Sequence, residues 1–233
     1  MNKKFKILIV LLAFSTASVY AQDVQQDSLS TKKKLKNLTE NFDISGCLAF
    51  GSNYVELLGI KNSNNVGLYT EFAAFHKTGI GLAYYAYDDF SKEEYGRMRF
   101  VDLAYANQWK FFSLYTAVEY VWYDNFRDAQ CMALYAIGDF NVKTWKFTVM
   151  PMFMYYPFFT ENQYEVIISG KVTKTFLNDL DIYAAVWYDN FYEHYIYGGI
   201  GLQIRLPKGF YLSGNLLYKD RKFMPIANFG WRF

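Results

Sequence analysis

Residues 144–156 read TWKFTVMPMFMYY, and this stretch decides the fold class. Its side chains alternate in character from one residue to the next. One parity holds Trp145, Phe147, Val149, Phe153 and Tyr155, and the other holds Lys146, Thr148, Met150, Met152 and Met154. Because successive side chains of a strand point to opposite faces, this period of two predicts a β-strand with one apolar and one mixed face. The stretch is also longer than the five or six residues of an ordinary strand.

The same kind of sequence continues from Phe42 to the C-terminus. The chain contains 22 Tyr, 22 Phe and 5 Trp residues, and aromatic residues favour strands. Alternating runs bounded by turn-forming residues predict an all-β fold. We predict strands at 45–60, 66–75, 79–88, 97–107, 110–123, 130–139, 144–156, 163–174, 179–189, 194–205, 209–219 and 222–233.

Alternation alone also fits a soluble sandwich or a lipocalin-like barrel. The predicted strands, however, reach the roughly 9–11 residues that a tilted strand needs to cross a bilayer. Their connections alternate between longer loops, such as DDFSKEEYG at 88–96, and short turns, such as HKTG at 76–79. Membrane barrels show this asymmetry, and their even strand number lets the sheet close without an edge. We therefore predict a single closed antiparallel transmembrane β-barrel of about 12 strands.

The N-terminus has the features of an export signal. Lys3, Lys4 and Lys6 precede an apolar run over residues 7–19, and Ala21 ends a short segment suited to cleavage. We predict a cleaved signal peptide at 1–21, a polar periplasmic arm at 22–41 and a barrel at 42–233. Without the signal, 21 basic residues face 22 acidic ones, and such a charge balance does not indicate nucleic-acid binding.

The last twelve residues read KFMPIANFGWRF and form the final predicted strand. Phe229, Trp231 and Phe233 share one face of it. An exported, aromatic-rich chain that ends in such a strand resembles a bacterial outer-membrane β-barrel protein. The resemblance implies that these three residues are the assembly signal read by the barrel-assembly machinery. It also implies contact with outer-membrane lipid and lipopolysaccharide.

The mixed faces of the strands are expected to line the lumen. The candidate lining residues are five acids and five bases, Glu56, Glu71, Glu119, Asp139, Glu165, Lys146, Lys171, Arg205, Lys219 and Arg232. Several tyrosines share these faces and either contact solute or fill volume. A polar lining predicts a small passive channel for hydrophilic solutes, with no cofactor. The alternative is a non-conducting structural or partner-binding barrel whose charges neutralise one another, because unpaired buried charges are costly.

One hexapeptide, VWYDNF, occurs twice, at 121–126 and at 186–191. Both copies end a predicted strand on the side of the longer loops. We therefore predict that Trp122, Tyr123, Trp187 and Tyr188 belong to an aromatic girdle at the membrane–water boundary. The Asp-Asn pairs that follow are expected to turn the chain into the loops.

The sequence offers little support for catalysis. A lipid hydrolase or acyltransferase would need a histidine base, and the chain has only His76 and His194. His194 stands near Asp189 and Glu193, but no serine is close in sequence. Cys47 and Cys131 are the only cysteines, and they leave open a disulfide or two buried thiols. No metal site is predicted.

Overall fold

The structure is a computed structural model of the 233-residue chain. It describes residues 41–55, 60–92, 94, 96–161, 163–177, 179–190, 195–219 and 221–233. The predicted signal peptide, nearly all of the predicted N-terminal arm, Glu56 and His194 lie outside the described residues.

Twelve strands make up the described part of the chain, as the sequence predicts. They are β1 (Phe42–Val55), β2 (Ile60–His76), β3 (Ile80–Asp88), β4 (Arg97–Gln108), β5 (Phe112–Tyr123), β6 (Cys131–Val142), β7 (Trp145–Tyr155), β8 (Tyr164–Phe176), β9 (Leu180–Asp189), β10 (Tyr195–Arg205), β11 (Phe210–Lys219) and β12 (Lys222–Arg232). Short 3-10 turns at Arg127–Ala129 and Pro207–Gly209 connect two of the strand pairs.

The sheet closes on itself. Each strand lies beside its neighbours in sequence, and β1 pairs antiparallel with β12 to complete the barrel. The closing pair is extended by two hydrogen bonds between Gly46 and Phe233, in which each backbone N–H donates to the other residue's carbonyl at 3.0 Å. Closure leaves no unpaired sheet edge, which is the condition for placing strands in hydrocarbon.

The exterior of the barrel is apolar and its interior is mixed. In β7, Trp145, Phe147, Val149 and Phe153 are exposed on the outer surface, whereas Met150, Met152 and Met154 are buried inside. The same division runs through the other strands, and large apolar side chains cover the outer wall. A soluble barrel would place its apolar face inside, so this inverted arrangement is that of a transmembrane barrel.

The two ends of the barrel differ. At one end, here called the turn end, connections of two to four residues join β2 to β3, β4 to β5, β6 to β7, β8 to β9 and β10 to β11. Lys143-Thr144, between β6 and β7, is one of them, and the C-terminus lies at the same end. At the other, the loop end, residues 89–96, 124–130 and 156–163 form longer loops. The connection between β11 and β12 departs from the predicted alternation, because only residues 220–221 separate these strands at the loop end. Among the described residues, no helix has the length and apolar character to cross a membrane.

Candidate functional site in the lumen

Nine of the ten predicted lumen residues lie on the inward-facing rows of their strands. They are Glu71, Glu119, Asp139, Lys146, Glu165, Lys171, Arg205, Lys219 and Arg232. The tenth, Glu56, is outside the described residues. The alternation is regular along each strand, so a residue's parity within its strand fixes its face.

The larger cavity in the barrel has a volume of about 520 Å³. Its charged lining residues are Glu71, Glu119, Asp139 and Arg232. Six tyrosines contribute much of the remaining wall, namely Tyr69, Tyr85, Tyr87, Tyr115, Tyr135 and Tyr211. This cavity is therefore both acidic and aromatic.

A smaller cavity of about 370 Å³ lies nearer the turn end. Its basic lining residues are Lys143, Lys146, Lys171, Arg205 and Arg232, and its acid is Asp181. Arg205 pairs with Asp181, with Nη1 2.8 Å from Oδ2. Lys146 Nζ lies 3.7 Å from Asp139 Oδ2 in the wall of the larger cavity. The charge of the lumen thus changes sign along the barrel axis.

The two cavities share part of their lining. Gln203 and Arg232 line both of them, so the two cavities adjoin between the turn end and the middle of the barrel. The guanidinium carbon of Arg232 lies 4.6 Å from the centroid of the Tyr211 ring. A cation at this distance from an aromatic face is attracted by the ring quadrupole, and this contact holds Arg232 where the cavities meet.

Side chains fill the interior toward the loop end. Met98, Met154, Val121, Cys131 and Ile167 are almost completely buried there in one apolar cluster. A second cluster is formed by Trp187, Tyr197, Leu217 and Ile226. Buried side chains therefore occupy much of the loop-end half of the lumen.

Two of the predicted lining residues belong to this filled half and line neither cavity. Glu165 is buried and accepts a hydrogen bond from the hydroxyl of Tyr156, which follows β7. Burial and the nearby Glu165 carboxylate raise the pKa of Tyr156, which keeps its hydroxyl protonated as a donor. The ammonium group of Lys219 lies 4.6 Å from the ring centroid of Tyr197.

The sequence did not identify three buried or half-buried lumen acids, Asp102, Asp181 and Asp189. The side chains of β4 and β9 do not separate into one polar and one apolar face, so their parity was ambiguous. In the structure Asp102 is fully buried inside the barrel, whereas Arg97 and Arg99 of the same strand pair with Asp88 at its loop-end margin. The cross-strand position of Asp102 opposite Glu119 is the signal that could have assigned it.

The predicted aromatic girdle is wrong for two of its four residues. Trp187 is only 2 % exposed and stacks on Tyr197 inside the barrel, with the ring centroids 5.6 Å apart. Tyr123 also faces inward and packs against the apolar cluster of the loop-end half. Both side chains fall on inward-facing rows, because neighbouring residues of a strand cannot share a face. Trp122 and Tyr188 are on outward-facing rows, and their girdle role stays a prediction.

The predicted assembly signal lies on the outer surface at the turn end. Phe229, Trp231 and Phe233 are all exposed, and Trp231 contacts Phe233 with ring centroids 4.8 Å apart. Other exposed aromatic residues lie at the same end, including Trp109 in the connection between β4 and β5 and Trp145 at the start of β7. Exposed aromatic rings therefore also surround the turn end, and this second girdle was not predicted from the sequence. Recognition of the last strand by assembly machinery stays a prediction.

The two cysteines are free and buried, so the disulfide alternative is excluded. Cys47 Sγ lies 3.4 Å from the hydroxyl of Tyr211. His76 Nδ1 is 3.0 Å from Thr78 Oγ1 at the turn end, and His194 is outside the described residues. Within the described ranges, no group of three or more His, Cys, Asp or Glu residues is arranged to hold a metal ion.

Comparison with known proteins gives a match in structure but not in sequence. No family model matches the chain, and no curated protein matches it. Among solved structures, the barrel is similar to the KdgM porin in complex with disordered oligogalacturonate, with a TM-score of 0.61 and 12 % identity over 81 % of this chain and 99 % of that chain. It is also similar to the NanC porin, with a TM-score of 0.53 and 9 % identity over 82 % of this chain and 98 % of that one. The chain therefore has the fold of bacterial outer-membrane porins.

Proposed function

We propose that this protein is a small passive channel for hydrophilic solutes in a bacterial outer membrane. The observation that carries the proposal is the pair of adjoining cavities lined by charged and hydrogen-bonding side chains inside a barrel with an apolar exterior. Such a lining replaces part of the hydration of a polar solute within the membrane. The similar solved structures are porins, which supports the same function.

The orientation of the barrel follows from the lengths of its connections. Outer-membrane barrels have short periplasmic turns and longer extracellular loops. The turn end, with the C-terminus, then lies in the periplasm, and the loop end faces the exterior and the lipopolysaccharide. The basic cavity opens on the periplasmic side, and the acidic aromatic cavity lies deeper in the membrane.

Solute passage requires the side chains of the loop-end half to move. Four of the buried residues in or beside this filled half are methionines, Met98, Met150, Met152 and Met154. The methionine side chain is unbranched and changes rotamer at little cost, so it can admit a solute without a change of the barrel wall. If these side chains do not move, the same packing supports a non-conducting barrel, which is the second candidate function.

Electrical recording in planar bilayers distinguishes the two candidates. The protein is purified in detergent, and a shift in gel migration on heating verifies the folded barrel. A channel is expected to give discrete conductance steps that scale with salt concentration. A folded preparation that gives no steps above background would contradict the channel and favour the structural barrel.

A charge reversal at the junction of the cavities tests whether current follows this path. Arg232→Glu replaces a positive charge by a negative one where the two cavities adjoin, and it is expected to raise the K⁺/Cl⁻ permeability ratio several-fold, as read from the reversal potential in a KCl gradient. Lys110→Glu is the matched control, because Lys110 is exposed in a connection at the same end and lines neither cavity. Equal shifts for both variants would contradict the assigned path.

A further inference from the structure

The larger cavity carries an excess of negative charge. Glu71 on β2 and Glu119 on β5 line it, and Asp102 on β4 is fully buried at the cross-strand position opposite Glu119. Among the described residues, none of these three carboxyl groups forms an ion pair with a basic side chain. The other lining acid, Asp139, is paired with Lys146. The excess charge is therefore concentrated on one wall.

Asp102 is the most constrained of these acids. It is 0 % exposed and directed into the barrel, and its Oδ2 accepts hydrogen bonds from the hydroxyls of Tyr115 at 2.5 Å and Tyr135 at 2.6 Å. Its Oδ1 has no hydrogen-bond partner among the described residues. Glu119, which lines the cavity, is its direct cross-strand partner. A buried carboxylate oxygen is normally satisfied, so this atom adds an acceptor without a partner directly behind the Glu119 carboxyl group that lines the cavity.

Tyrosine rings complete the surroundings of the acidic wall. Tyr115 and Tyr135 stack with their centroids 5.8 Å apart, and the Tyr85 hydroxyl lies 3.5 Å from that of Tyr115. Tyr69 donates a hydrogen bond to Glu71 at 3.2 Å. Aromatic faces next to carboxylates are the surroundings that bind organic ammonium groups, through cation–π attraction and charge neutralisation.

The barrel's own cations show that its tyrosines accept this contact. Arg232 lies over Tyr211, Lys171 over Tyr183 and Lys219 over Tyr197, with distances of 4.6 to 5.2 Å from the cationic atom to the ring centroid. Arg232 is the basic residue that lines the larger cavity, and it lies over Tyr211 rather than in an ion pair with the unpaired acids. A solute cation can use the remaining rings in the same way.

We infer that the larger cavity binds the ammonium group of an organic solute, with Glu119 as the counter-ion in the cavity wall, Asp102 as the buried carboxyl group behind it and the surrounding tyrosines as aromatic walls. A volume of about 520 Å³ accommodates a small organic molecule. The described acids do not form a metal-binding group, which favours an organic cation over a metal ion. The inference rests on the proposed channel and defines the class of solute that its central part selects.

Binding to the detergent-folded protein tests this assignment without relying on conductance. Calorimetric titration uses n-butylammonium as the probe, with n-butanol and butyrate as neutral and anionic controls of similar size. We expect saturable binding of the ammonium compound and at least tenfold weaker binding of both controls. Comparable binding of all three compounds, or no binding of n-butylammonium to folded protein, would overturn the inference.

Substitutions assign the binding to the acidic wall. Asp102→Asn and Glu119→Gln each replace one carboxyl group by an amide with little change in size, and each is expected to weaken n-butylammonium binding at least tenfold. Asp181→Asn is the matched control, because it removes an acid from the smaller cavity. If Asp102→Asn does not fold, Glu119→Gln alone decides, and unchanged binding in that variant rejects the site.

The conductance assay separates failure of the inference from failure of the proposed function. A channel that conducts but does not bind n-butylammonium would refute the ammonium site and leave the channel intact. A folded barrel that binds n-butylammonium but does not conduct would refute the channel and retain the binding site.

Discussion

The two copies of VWYDNF have the same six residues and opposite orientations. In β5, Val121 is 1 % exposed inside the barrel, and Trp122 stacks on the exposed Tyr120 at the outer surface. In β9, Val186 is 51 % exposed on the outer surface, and Trp187 is buried in the lumen. Both copies end their strands at the loop end. The motif therefore predicted the position of these residues along the barrel axis. It did not predict whether a given side chain points into the lumen or toward the outer surface.

The rest of each strand decides the face. In β5 the inward row includes Glu119 and Val121, and in β9 it includes Asp181, Tyr183 and Trp187. A polar residue that must avoid lipid fixes the parity of its whole strand, and the motif follows that parity. An identical hexapeptide therefore contributes a valine to the core in one strand and a tryptophan in the other.

Replacement of the tryptophans should give the largest difference between the copies. Trp187→Ala removes a buried ring that packs on Tyr197 and is expected to lower the free energy of unfolding by about 3–5 kcal/mol. Trp122→Ala removes an outward ring and should cost less than about 1 kcal/mol. Denaturant unfolding in detergent, followed by circular dichroism, measures both values. Equal losses would show that the two copies share one orientation.

Fluorescence gives an independent measurement of the same comparison. Trp109, Trp145 and Trp231 are exposed on the outer surface, and Trp122 is partly exposed on an outward-facing row, so brominated lipid should quench all four. Trp187 should remain unquenched. Loss of Trp187 is then expected to raise the quenchable fraction of the emission, and loss of Trp122 to lower it.

A smaller loss of stability is expected from a substitution at Gly201 of β10, where the Tyr183 ring of β9 lies against the backbone. A methyl group at Gly201 would overlap the ring of Tyr183 and the amide of Asn215, which form a hydrogen bond with each other. Gly201→Ala should therefore destabilise the barrel by about 1–3 kcal/mol. In Gly198→Ala, the matched control in the same strand, the methyl group would lie 3.4 Å from the carbonyl oxygen of Ala185. Similar stability of the two variants in urea titration would show that β10 does not need the space at Gly201.

The aspartates of the two copies should give the smallest effect. Asp124 is partly exposed, and its Oδ2 lies 3.7 Å from Arg99 Nη2, whereas Asp189 is buried. Asp124→Asn is expected to cost at most about 1 kcal/mol at low salt, and less at high salt, because exposed ion pairs are weak and screened. Asp128→Asn in the same loop is the control. A loss that persists in 1 M salt would indicate that Asp124 acts through another contact.

Most of the fold was predictable from the sequence because a transmembrane strand repeats one simple pattern. Apolar side chains must face lipid at every second position, so all twelve strands and the inward parity of nine lumen residues followed from alternation. The pattern fails where both faces carry mixed residues. For this reason Asp102 in β4 was not assigned to the lumen, and Trp187 in β9 was assigned to the outer girdle. The lumen accepts apolar side chains as well as polar ones, so composition alone does not identify the inward face.

The sequence by itself determined that the chain forms a closed barrel, with an even number of strands and with an apolar exterior. These properties follow from local periodicity and from the requirement that every backbone polar group in hydrocarbon be paired. Only the tertiary structure decided which side chains fill the loop-end half and which leave two cavities of opposite charge. That division depends on how the inward rows of twelve strands meet across the lumen, and no single strand carries this information.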